Sequence, residues 1–118
     1  MAIKLYGIAS CGTVKKAKQW LEARGMDYEW CDFRKTPPSA SQVARWTGTF
    51  GATKMRNTSG GAYRALGDEK KSWDDARWTT AFTADSMLIK RPIIERDGAP
   101  VMVGFRGDDA LLAGVLVD

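Results

Sequence analysis

The sequence predicts an α/β domain built on a mixed four-stranded sheet with helices on its faces, and three stretches carry that prediction. The chain starts with a short apolar run, an amphipathic helical stretch and a second apolar run, the order that a right-handed crossover turns into two parallel strands. Towards its other end, a proline-led apolar run, Asp97-Gly98 and a returning apolar run form a hairpin that adds antiparallel partners. Between these parts lies a helical insertion, read here over about residues 39–89 of a single domain spanning residues 1–118.

The first strand is carried by Ile3, Leu5 and Ile8, with Tyr6 between them. Ser10 is a good N-cap for the helix that follows, where Val14, Ala17, Trp20 and Leu21 share one face and Lys15, Lys16, Lys18, Gln19 and Glu22 the other. Gly25 then stops the helix. Asp27 to Phe33 alternates as a second strand, with Cys31 in its interior as a small buried hydrophobe. Thr36-Pro37-Pro38 breaks the chain, and Ser39 with Gln42 has the form of a capping box opening a helix through Val43, Trp46 and Phe50 that Gly51 closes.

Residues 52–71 are the least periodic and read as a loop or a short helical excursion. Ser72 is the expected cap of a longer helix whose apolar stripe is Trp73, Ala76, Thr80, Ala81, Ala84, Met87 and Leu88. Pro92 introduces the third strand, Asp97-Gly98 turns the chain, and Val101 to Phe105 returns as the fourth. Asp108 caps a final helix with Leu111, Leu112 and Val115 on its apolar face.

Composition narrows the chemistry. Histidine is absent from the 118 residues, which removes Ser-His and Cys-His catalytic pairs and histidine metal sites, and two cysteines alone do not build a structural zinc site. No metal is therefore expected. The net charge of +4 suits nucleic acid, an acidic protein surface or a small oxyanion. Because the charge is spread and no aromatic–basic ladder accompanies it, the small anion is favoured and direct nucleic-acid binding is not expected. The N-terminal residues lack the pattern of a signal peptide and no apolar run reaches the roughly 18 residues of a membrane span, so the expected location is cytoplasmic, away from membranes, with Cys11 and Cys31 as thiols.

Cys11 sits where a strand gives way to a helix. There the free backbone N–H groups and the positive end of the helix dipole stabilise a thiolate, the nucleophilic form of cysteine. The plainer alternative is a small residue in a tight turn. Neighbouring arginines, planar and permanently charged, would both bind an oxyanion and stabilise that thiolate.

This order of elements is the layout of a thioredoxin-like domain with a helical insertion. Tyr6-Gly-Ile-Ala-Ser-Cys-Gly-Thr-Val-Lys-Lys-Ala17, then Ile89-Lys-Arg-Pro-Ile93, then Val103-Gly-Phe-Arg106, in this order and spacing, resemble the arsenate reductase-like family that includes ArsC, the Spx regulators and the YffB-type proteins. The resemblance implies that Cys11 is the nucleophile, that Arg91 and Arg106 hold the anion, and that Pro92 is a cis proline beside the active cysteine. A further anion-binding arginine belongs to the middle segment, with Arg56 the nearest match and Arg64 the fallback.

The same resemblance implies a thiol-dependent reductase acting on arsenate or a glutathione-linked substrate, with no bound cofactor, glutathione as co-substrate and glutaredoxin as a further reductant. The competing reading from the family is a regulatory module docking on RNA polymerase, as the Spx proteins do. Val14 stands where a Cys-x-x-Cys motif would place its second cysteine, and Cys31 lies outside the usual resolving position, so an external thiol fits better than an internal disulfide.

Overall fold

The computed structural model describes residues 2–106, which fall into two compact units. One unit comprises residues up to Thr36 together with those from Arg91 onward; the other is Pro37–Lys90.

The first unit is the sheet. Strands β1 (Ile3–Gly7), β2 (Glu29–Asp32), β3 (Ile93–Arg96) and β4 (Ala99–Val103) lie in the order β2-β1-β3-β4. β1 runs parallel to β2 and antiparallel to β3, and β3 pairs antiparallel with β4, giving the mixed four-stranded sheet that the sequence predicts. The β3–β4 turn places both Asp97 (φ 51°) and Gly98 (φ 82°) in the left-handed region. An Asp-Gly hairpin turn of this kind is matched to the right-handed twist of the strands.

Helix α1 (Gly12–Ala23) joins β1 to β2 and packs on one face of the sheet. Its buried residues are Val14, Ala17, Trp20 and Leu21, the face its periodicity predicts, and the last three meet Ile3, Leu5, Ile94 and Met102 in one apolar cluster. The N-cap is Cys11, not the expected Ser10, so the helix starts one residue later than the capping preference of serine suggests. Gly25 (φ 65°) turns the chain out of the helix, with Met26 N–H donating back to Leu21 O at 3.0 Å. Side-chain alternation leaves Tyr6 and Cys31 on the sheet face opposite Leu5 and Trp30. On that opposite face the Tyr6 hydroxyl donates to the buried Glu95 carboxylate at 3.0 Å.

The second unit holds the insertion. Helix α2 (Ala40–Phe50) opens with both halves of the Ser39–Gln42 capping box and closes at Gly51 (φ 82°). Short helices α3 (Ala52–Met55) and α4 (Gly61–Arg64) and a 3-10 turn at Asp68–Ser72 fill the aperiodic stretch. Helix α5 (Asp75–Ala84) then packs against α2.

Two expectations fail at α5. Ser72 does not cap it: that hydroxyl donates to Glu69 O within the preceding turn, and Asp74 caps α5 by accepting from Arg77 N–H at 2.8 Å. The buried face is Trp78, Ala81 and Phe82, whereas Ala76, Thr80 and Ala84 are exposed. Packing within this unit buries the face that carries the large rings of Trp78 and Phe82, and the indole of Trp78 is the hub of an aromatic cluster, 4.9 Å from Trp73, 5.5 Å from Phe82 and 6.2 Å from Tyr63 between ring centroids. The final helix expected from Asp108 lies outside the described residues.

Candidate active site

The turn between β1 and α1 carries Cys11. Its N–H donates to Ile8 O at 3.2 Å and its carbonyl accepts from Lys15 N–H at 3.1 Å, so the residue closes the turn and opens the helix at once. With φ −77° and ψ 122° it has the extended conformation of an N-cap, which aims its side chain across the first helical amides. The sulfur makes no capping hydrogen bond of ordinary geometry, yet the Val14 and Thr13 amides lie close enough to act on it.

Partial burial of Cys11 opposes ionisation, but the Val14 and Thr13 amides, a hydrogen bond from Arg91 and the Arg91 charge outweigh it, and the thiol is held below its ordinary pKa. Arg91 reaches the site from the residue before Pro92, and the Arg91–Pro92 peptide bond is cis. Gly104 N–H donates to Pro92 O at 2.8 Å, which ties the end of β4 to the same corner. Two motifs far apart in the chain, one at Cys11 and one at Arg91, thus meet at one thiol.

The other nominated arginines have different surroundings. Arg106 follows β4, is exposed, and is not among the groups that act on Cys11. In the second unit, Arg56 ends α3 and forms an isolated bridge with Ile89, and its guanidinium lies 5.4 Å from the centroid of the Trp78 ring. Its Nε is buried without an acceptor, so Arg56 keeps a donor available. Arg64 is exposed and donates to Ser59 O at 2.8 Å, closing its own loop.

Cys31 has the opposite environment. Burial, a hydrogen bond to Glu29 Oε2 at 3.6 Å and the Glu29 charge push its thiol up to about 11, against which the Lys4 ammonium works only weakly. Its side chain emerges on the sheet face away from α1. A thiol of this kind is a poor nucleophile at neutral pH.

Sequence reading also passed over Gly7, whose missing side chain leaves room for Val14. The signal was present in the stretch Tyr6-Gly-Ile-Ala-Ser-Cys11, but nothing local to β1 reveals a partner seven residues away. Among the described residues no helix is long and apolar enough to cross a membrane, and no group of three or more Cys, Asp or Glu side chains is placed to hold a metal ion.

Comparison with known proteins bears on the fold and the family. The uncharacterized protein YusI of Bacillus subtilis is 35% identical over 112 residues, covering 92% of this chain and 94% of its own. A solved protein described as YffB matches with a TM-score of 0.85 at 32% identity, covering 96% of this chain and 98% of that one. A structure from Streptococcus mutans, described as a possible arsenate reductase, matches with a TM-score of 0.82 at 34% identity, covering 93% and 96%. With the ArsC family model matching residues 6–112, this chain belongs to the ArsC family.

Proposed function

We propose that the protein is a thiol-dependent reductase in which Cys11 attacks arsenate or a glutathione-linked substrate and glutathione, alone or through glutaredoxin, restores the thiol. The observation that carries this reading is the convergence of the Val14 and Thr13 amides and Arg91 on the Cys11 sulfur. A lowered pKa enlarges the thiolate fraction at any given pH, and the same donors offset negative charge on an attacked anion.

With a mixed disulfide as substrate, the Cys11 thiolate attacks the glutathione sulfur, the S–S bond breaks, and the other thiol leaves with the electron pair and takes up a proton. A second glutathione thiolate then attacks the Cys11–glutathione bond, releasing oxidised glutathione and free Cys11. With arsenate, Cys11 bonds to arsenic as an oxygen leaves as water. A glutathione thiolate then attacks the Cys11 sulfur, and the S–As bond breaks with its electron pair going to arsenic, which leaves as trivalent arsenite. A second glutathione cleaves the Cys11–glutathione disulfide to give oxidised glutathione and free Cys11. Both routes need an external thiol, which fits a chain whose second cysteine has its pKa pushed up to about 11. Arg91 is the anion-binding residue at the thiol, Arg106 is a further candidate, and Arg56 is the better middle-segment candidate because its donor is unspent.

Turnover of arsenate and of a glutathione mixed disulfide, measured with glutathione and glutaredoxin supplied, tests the reading. Cys11→Ser is expected to abolish turnover, a loss of at least about a thousandfold, while Cys31→Ser retains it. Wild-type protein inert towards both substrates, together with recovery of RNA polymerase on immobilised Cys11→Ser, would replace catalysis with a regulatory docking role.

A further inference from the structure

Gly7 is the last residue of β1, and a Cβ built on it would lie 2.6 Å from Val14 Cγ2, closer than real side-chain contacts come. Its other neighbours, Arg91 Cβ and the Trp30 ring, would stand at 3.7 Å, ordinary contact. Its φ is not in the left-handed region, so a side chain is excluded here by Val14 alone.

Neither partner in that collision has an easy retreat. The Gly7 backbone is set in the sheet, in register with Asp32 and with its carbonyl accepting from Phe33 N–H at 2.8 Å. Val14 is fully buried, and a β-branched side chain in a helix has one strongly preferred rotamer. Between these fixed points run residues 8–11, a turn closed by the 3.2 Å bond from Cys11 N–H to Ile8 O. A displacement of the first turn of α1 away from β1 must be absorbed there.

We infer that Gly7 is a positioning residue for Cys11: by presenting no side chain to Val14 it lets the first turn of α1 seat against β1, which holds the Thr13 and Val14 amides at the Cys11 sulfur. Gly7 touches no reacting atom and acts through Val14. The inference rests on Cys11 being the reactive thiol of the reading above.

The test is the pH dependence of iodoacetamide alkylation of Cys11, measured in a Cys31→Ser background for Gly7→Ala, Val14→Ala, the Gly7→Ala/Val14→Ala pair and Gly12→Ala. Gly12 adjoins Cys11, and a Cβ there meets nothing within 4 Å, so Gly12→Ala sets the shift that an added methyl gives without a collision. Gly7→Ala is expected to raise the apparent Cys11 pKa by about one unit, about tenfold less thiolate at neutral pH. Because Val14→Ala deletes the Cγ2 atom, the pair should match Val14→Ala alone.

A folded Gly7→Ala protein shifted no more than Gly12→Ala, or a pair that stays above Val14→Ala, overturns the proposal. Should Gly7→Ala fail to fold, the comparison between Val14→Ala and the pair decides in the same way: equal values support it and unequal values overturn it. Since no substrate enters the measurement, failure of the reductase reading would appear separately, as absent turnover in the wild-type protein.

Discussion

Cys11 and Cys31 belong to the same unit, and their surroundings push them in opposite directions. Each is partly buried, and in each burial is the largest influence, favouring the neutral thiol. At Cys11 the other neighbours are donors and a cation: two amides at the start of α1 and Arg91. At Cys31 the main neighbour is a carboxylate, Glu29, two residues back on the same face of β2. Burial is therefore nearly uninformative about reactivity here. What separates a thiol of lowered pKa from one of raised pKa is the sign of the charge and dipole that burial brings close.

The largest effect expected from this contrast is the gap in alkylation rate between the two thiols. A thiol at about 11 has roughly one part in ten thousand as thiolate at pH 7, so Cys11, held below its ordinary value, should react at least about a hundredfold faster. Single-cysteine variants Cys11→Ser and Cys31→Ser, alkylated in parallel and followed by mass, read that ratio directly. Comparable rates would erase the distinction.

A smaller effect comes from removing the cation. Arg91→Ala takes away both a hydrogen bond to the sulfur and a positive charge, and should raise the Cys11 pKa enough to slow its alkylation about tenfold at pH 7. Arg91→Lys retains the charge without the planar fork, so it should recover part of that loss. Full recovery by lysine would mean that charge alone matters and the hydrogen bond adds nothing.

Why the sequence reveals one thiol's role more readily than the details around it has a physical answer. β1, the buried face of α1, the capping box at Ser39–Gln42 and the Asp97-Gly98 hairpin all rest on contacts within about four residues, or on one residue's backbone preference, and those are written locally. The helix-start setting of Cys11 is local in the same sense. The α5 stripe is less local, because which face is buried is decided by packing against the rest of its unit, where Trp78 turns inward in place of Ala76; the start is settled separately, by Asp74 in place of Ser72. Arg91 at the Cys11 sulfur joins residues 80 positions apart, and only the family resemblance carried that pairing. Gly7 against Val14 is a packing fact with no pattern of its own.

The smallest expected effect concerns the carboxylate that holds Cys31 up. Glu29→Gln removes the Glu29 charge but leaves the burial, so the Cys31 pKa should fall only part of the way from about 11 towards the ordinary value of about 8.5. Stability should follow with a defined sign. In the folded chain Cys31 keeps its proton to higher pH than in the unfolded chain, so its contribution is fully present below about pH 8.5 and is lost as pH rises towards about 11. Cys11 has the opposite sign: its lowered pKa gives a contribution present above the unfolded value of about 8.5 and lost as pH falls through the folded one. Both thiols are far from fully buried, so solvent screening keeps the slopes shallow, and differences between variants are the useful quantity. Between pH 8.5 and 11 the wild-type melting temperature should fall more steeply than that of Cys31→Ser, with Glu29→Gln in between. Identical slopes for wild type and Cys31→Ser would show that Glu29 and burial do not hold the Cys31 proton, and the contrast between the two thiols would then rest on Cys11 alone.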